Sequence, residues 1–76
     1  MFDVFYAVRV LRNSDDELMS SHYFNDKDAK KRALEFVESN PFCREPGTHV
    51  VLWASCPDKG IENFGLRCLK SRFNPP

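Results

Sequence analysis

Asn25-Asp26-Lys27-Asp28-Ala29-Lys30-Lys31-Arg32-Ala33-Leu34-Glu35-Phe36-Val37-Glu38-Ser39-Asn40-Pro41 carries helix signals at both ends. Asn25 can cap free backbone N–H groups, with Asp28 three residues on, and Asp26 can take the cap instead, moving the start by one. Pro41 stops the run near Asn40, because proline has no N–H to continue the ladder. Ala29, Ala33, Phe36 and Val37 share one face, at the spacing of a stripe packed on a sheet. Lys27, Asp28, Lys31, Glu35 and Glu38 occupy the other side. Asp28 and Arg32 stand at i,i+4 in the favourable orientation, a pair worth only ~0.2–0.5 kcal/mol. The cationic run Lys30-Lys31-Arg32 belongs to this solvated side rather than to a binding patch.

Around the helix, four short segments alternate as strands. Over residues 2–12, Phe2, Val4, Tyr6, Val8 and Val10 share one face, and Asp3, Phe5, Ala7, Arg9 and Leu11 share the other. Asn13-Ser14-Asp15-Asp16 is a polar turn, and a weaker strand follows over residues 17–24, completing a hairpin with a four-residue connection. After the loop from Pro41 to Gly47, Thr48–Cys56 is rich in β-branched and aromatic residues. Pro57-Asp58-Lys59-Gly60 has turn chemistry. A last strand runs from about Ile61 to Leu69 or slightly beyond, and Asn74-Pro75-Pro76 reads as a frayed end. The expected fold is a single α+β domain over residues 1–76. It is ββαββ, a four-stranded antiparallel sheet with one helix packed on one face.

A chain of 76 residues buries only ~60–65% of its extended surface, so deep substrate pockets are not expected. Eleven basic and eleven acidic side chains cancel, which removes the usual electrostatic signature of a nucleic-acid or anionic-membrane binder. Arg67, Lys70 and Arg72 form a short basic end without an acid, too small to count as a binding signal. Three cysteines are an odd number at irregular spacing, which fits reduced thiols in a cytoplasm better than a disulfide framework. No basic n-region opens the chain and no apolar run is long enough to cross a bilayer.

No motif carries chemistry. Cys43, His49, Cys56 and Cys68, with His22, lack the paired turns from which structural zinc sites draw ligands, so no metal is expected. Cys56 and Cys68 fall on the presumed buried face, where a free cysteine behaves as a small hydrophobe. His22 follows Ser20-Ser21, but strand neighbours diverge, and no third group orients a nucleophile. Neither a cofactor nor an enzymatic activity is expected. The span Lys59-Gly60-Ile61-Glu62-Asn63-Phe64-Gly65-Leu66 distantly resembles a strand of the RNA-recognition motif in joining glycine and aromatic residues, but that family needs a second helix. Gly65 reads as a bulge or close-packing site.

If the helix covers the even face of the first strand, the third offers Thr48, Val50, Leu52, Ala54 and Cys56 to the core and turns His49, Val51, Trp53 and Ser55 outward. The fourth buries Phe64, Leu66 and Cys68, leaving Gly65, Arg67 and Leu69 open. Phe5, Leu11, Val51, Trp53 and Leu69, with Arg9 and Arg67, then share a face that one helix cannot cover. Apolar surface with Trp and Arg is the composition of a protein-binding hot spot. Two alternatives bury it: the Phe73 tail or the Phe42 loop folds across it, or a slipped register carries Trp53 into the core.

The layout is similar to that of small bacteriophage accessory proteins that inhibit host enzymes or bacterial defence complexes, including some anti-CRISPR proteins. The resemblance covers size and strand–helix order. It implies an inhibitor whose partner is another protein; the strand faces give Trp53, Phe5, Arg9, Arg67, Leu11 and Val51 as the expected contact residues of such a non-catalytic cytoplasmic module. A homodimer that packs two open faces together is the first alternative. The second is a single-stranded nucleic-acid module, with Trp53 and Phe5 stacking on bases and Arg9, Arg67, Lys70 and Arg72 on phosphates.

Overall fold

A computed structural model describes residues 5–57 and 64–76 of the chain, with side chains for residues 5–55 and 68–76. Its elements are β1 (Phe5–Arg12), β2 (Leu18–Phe24), α1 (Ala29–Ser39), a 3-10 turn (Pro41–Arg44), β3 (Thr48–Pro57) and β4 (Phe64–Phe73). The strands form one antiparallel sheet in the order β2-β1-β3-β4. This is the expected ββαββ arrangement. Because β1 is antiparallel to both neighbours, β2 and β3 run parallel with β1 between them. A parallel relation needs a long crossover, which α1 supplies.

The core lies between α1 and the even face of the two central strands. Val8 and Val10 of β1, Val50 and Leu52 of β3, Ala33 and Val37 of α1 and Cys43 of the 3-10 turn are all fully or almost fully buried together. Tyr6, Phe24, Leu34 and Phe36 pack around them. The alanines let the helix approach the sheet closely, and the β-branched valines suit the pleated surface below it. Phe24 meets Phe36 edge-on at 5.5 Å, and the Arg32 guanidinium lies 5.5 Å from the Phe24 ring.

The helix starts later than expected. Asp26, not Asn25, organises its entrance: its Oδ1 accepts from the Asp28 N–H at 3.1 Å and its carbonyl from the Ala29 N–H at 3.1 Å. The N-cap is Asp28, which makes no side-chain cap bond. Arg32 pairs with Asp26 rather than with Asp28, because the turn brings the Asp26 carboxylate under the first helical turn. The other end behaves as expected. Asn40 leaves the helix in extended conformation, Pro41 follows, and the Asn40 side chain accepts from the Phe42 N–H at 2.9 Å.

Two register shifts correct the outer strands. On β2, Val10 faces Ser20 but Leu11 faces Leu18, so Met19 is an extra residue. On β4, Leu52 faces Lys70 but Trp53 faces Cys68, so Leu69 is extra. One inserted residue turns over every side chain beyond it. Cys68, expected in the core, is therefore exposed and stands in the row of Trp53. Arg67, expected on that row, has its Cα opposite Ala54, and its side chain lies outside the described residues. So do the side chains of Cys56, Phe64, Gly65 and Leu66, the residues of the 58–63 connection and residues 1–4.

The β1–β2 connection spans residues 13–17, one longer than expected, with Asp16 in the left-handed region at φ 56°. Asp15 Oδ1 accepts from the Glu17 N–H at 3.1 Å and from Arg12 Nε at 3.0 Å. Those contacts hold the Asp15 carboxyl below its ordinary value, the Glu17 N–H contributing most. The last strand also runs further than expected, to Phe73, and Asn74 is not frayed. Asn74 is buried, donates its N–H to the Thr48 carbonyl (2.9 Å), and sends Nδ2 to the Cys43 carbonyl (2.9 Å) and to Thr48 Oγ1 (3.2 Å). This one amide ties the 3-10 turn, the start of β3 and the end of β4 together.

Candidate interaction face

The helix-free face is built from cross-strand rows. Tyr23, Ala7, Trp53 and Cys68 form one row across all four strands; Ser21, Arg9, Val51 and Ser71 form the next. Leu18, Leu11, His49 and Phe73 form a third, and Phe5 stands opposite Ser55. Phe5, Arg9, Leu11, Val51 and Trp53 thus lie on one face, as the alternation of β1 and β3 indicates. Nothing described folds across it. The 3-10 turn packs on the helix side, where Cys43 joins the core and Phe42 approaches His22 at 6.3 Å. Phe73 sits at the margin with 67% of its surface exposed. Trp53 stays on this face, half-buried, because β3 keeps an unbroken register with β1.

Within the face a notch opens, lined by Phe5, Ala7, Arg9, Tyr23 and Trp53, with a volume of about 320 Å³. Its cause is local. Ala7 is only 3% exposed, yet it ends at Cβ, and the row places a large ring on either side of it. Phe5 and Arg9, two residues before and after on the same strand, close the other two sides. Phe5 and Tyr23 meet at 6.3 Å between ring centres, tilted by 57°. Ser21 Oγ is buried and closes no hydrogen bond among the described residues.

Tyr23 is the notch residue that sequence reasoning missed. Its signal was present: in a hairpin with β1, the position opposite Ala7 must share Ala7's face. The weak alternation of Leu18–Phe24 and the extra residue at Met19 hid that pairing.

At the far margin, His49 Nδ1 lies 2.8 Å from Asn13 Oδ1, and its Nε2 lies 3.4 Å from Asp16 Oδ1. Asn13 Nδ2 donates to the Asn74 carbonyl at 3.0 Å. This constellation couples the β1–β2 turn to the end of β4, and it presents no nucleophile beside His49. On the helix side, His22 packs against Phe36 at 4.5 Å, and its Nε2 and Ser20 Oγ are buried without hydrogen-bond partners among the described residues. Ser20 and His22 do share a face, but no third group among the described residues orients them. Among the described residues, no three His, Cys, Asp or Glu side chains gather as a metal would require. Nor is any described helix long and apolar enough to cross a membrane.

No family model, curated protein or solved structure matches this chain.

Proposed function

We propose that this protein is a non-catalytic protein-interaction module that docks its partner on the helix-free sheet face, with Trp53 as anchor and Phe5, Arg9 and Tyr23 around it. The observation that supports this most is the notch over Ala7. Aromatic and Arg side chains around a small, partly enclosed depression are the composition and shape of a binding hot spot. Leu11 and Val51 extend the apolar surface towards Leu18. A domain of this size gains little from leaving such surface in water, so a partner that covers it recovers burial the fold alone does not reach. In this reading the partner is a host enzyme or defence complex and the module inhibits it by occupancy, the role implied by the layout of small phage accessory proteins.

The test is capture from a bacterial lysate by tagged wild type and by Trp53→Glu, each with and without nuclease. The expected outcome is a discrete protein retained by wild type after nuclease treatment and lost from the variant. Far-ultraviolet ellipticity and the thermal midpoint of the variant should stay near those of wild type. Equal retention by a folded variant would falsify the reading, and capture abolished by nuclease would replace it with a nucleic-acid role.

A further inference from the structure

Arg9 lacks the carboxylate partner that Arg12, Arg32 and Lys70 have among the described residues. Arg12 meets Asp15 and Glu17, Arg32 meets Asp26, and Lys70 meets Glu38. Arg9 is exposed at one side of the notch, and no carboxylate among the described residues reaches it. The four rows of the helix-free face contain no described Asp or Glu, and Arg9 is their one described arginine or lysine. The described rows of the face therefore carry one guanidinium and no carboxylate, within a chain whose net charge is zero.

Resting on the interaction-face reading above, we infer that the notch takes an acidic protein segment, one in which an aromatic or aliphatic side chain stands beside a carboxylate. The apolar side chain fills the space over Ala7 between Phe5, Tyr23 and Trp53, and the carboxylate closes on the Arg9 guanidinium. Arginine suits this role because its planar fork can hold both carboxylate oxygens. The notch volume, about 320 Å³, lies at the small end of ligand sites and has room for one inserted side chain.

Two other occupants fit the charges less well. Single-stranded nucleic acid draws its affinity from several phosphate contacts in a basic groove, and this face offers one described guanidinium. A second copy of the chain would meet the face with the same surface, bringing Arg9 towards its twin with no described carboxylate between them.

The experiment uses the full chain labelled with ¹⁵N, titrated with four probes: acetyl-Gly-Glu-Phe-Glu-Gly-amide, its Gln-for-Glu and Lys-for-Glu counterparts, and a short oligothymidylate. Trp53 is the sole tryptophan, so its indole N–H resonance and its fluorescence report on the notch without ambiguity. The acidic peptide should shift that resonance saturably and bind at least about tenfold more tightly than the glutamine peptide, a gap of ~1.4 kcal/mol. Added salt should narrow the gap. Arg9→Gln should reduce the acidic peptide to the level of the glutamine peptide, and Arg9→Lys should keep part of the preference.

Equal binding of the glutamine or lysine peptide overturns the inference, as does silence of the Trp53 resonance with every probe. Tighter binding of oligothymidylate overturns it in favour of nucleic acid. A concentration-dependent shift of the same resonances without any probe overturns it in favour of self-association. Loss of the acidic preference leaves the Trp53→Glu capture result standing, so failure of this chemistry and failure of the interaction face are read separately.

Discussion

The two faces of the sheet use the same strands to opposite ends. On the helix side, Val8, Val10, Val50 and Leu52 are sealed by Ala33, Val37 and Cys43. On the other side, residues one position along the same strands, Arg9, Val51 and Trp53, stay partly in water, and small Ala7 lies below larger neighbours. The covered face is close-packed, so any change of volume there has nowhere to relax. The open face carries its bulk at the rim of a depression, so changes of volume alter shape before they alter stability. Alternation thus sorts one stretch of chain into a part that holds the fold and a part free to touch something else.

Leu52→Ala and Val51→Ala probe this division most strongly. Leu52→Ala should lower unfolding free energy by about 2–5 kcal/mol, the cost of a cavity under the helix. Val51→Ala should cost under about 1 kcal/mol, since its site already faces water. Urea unfolding measures both, and equal costs would erase the distinction between the faces.

A second pair makes the same substitution on each side. Ala33→Leu should cost about 1–3 kcal/mol by overpacking the helix–sheet contact, whereas Ala7→Leu grows into the notch and should cost less than ~1 kcal/mol. The order should reverse for capture of the partner, with Ala7→Leu losing it and Ala33→Leu retaining it wherever the fold survives. A strongly destabilised Ala7→Leu would mean that the notch is packed rather than open.

The smallest effect concerns pH. Burial pushes the Cys43 thiol above its ordinary value of 9.0, with Arg72 partly opposing. A raised value means that the unfolded chain ionises first as pH rises, so stability is intact below about 9 and declines as pH rises past it. Thermal midpoints between pH 7 and pH 10.5 should show that decline in wild type and a flatter profile in Cys43→Ala. A parallel decline in both would assign it to other groups.

The central strands were legible in the sequence because β1 and β3 pair without interruption. From Phe5 to Arg12 the period of two holds, so the placement of Phe5, Arg9, Leu11, Val51 and Trp53 on one face followed from counting. The helix end was legible too, since Pro41 acts through its own covalent structure. The outer strands were not legible to the same depth. Met19 and Leu69 each add a residue that hydrophobicity alone does not mark, so Cys68 came out on the wrong side. The helix start was misread because Asp26 uses a local side-chain turn, and Asn25 and Asp26 both have the chemistry to do so. Asn74 was read as a loose end because polar residues beside proline usually are; its burial depends on a pocket made by Cys43 and Thr48, far away in the chain.

The two inserted residues have a consequence for length. On β4, Lys70 faces Leu52 and Cys68 faces Trp53, with Leu69 unpaired between them. Removing Leu69 would leave every other residue opposite its present neighbour in a regular ladder, and the same holds for Met19 on β2. Removing a residue further along either strand would instead turn over the stretch between it and the bulge. Chains of common descent can therefore differ in length by one residue at these two positions while keeping the sheet intact. An alignment that places a gap at 19 or 69 would be reading the strand geometry, not a loop.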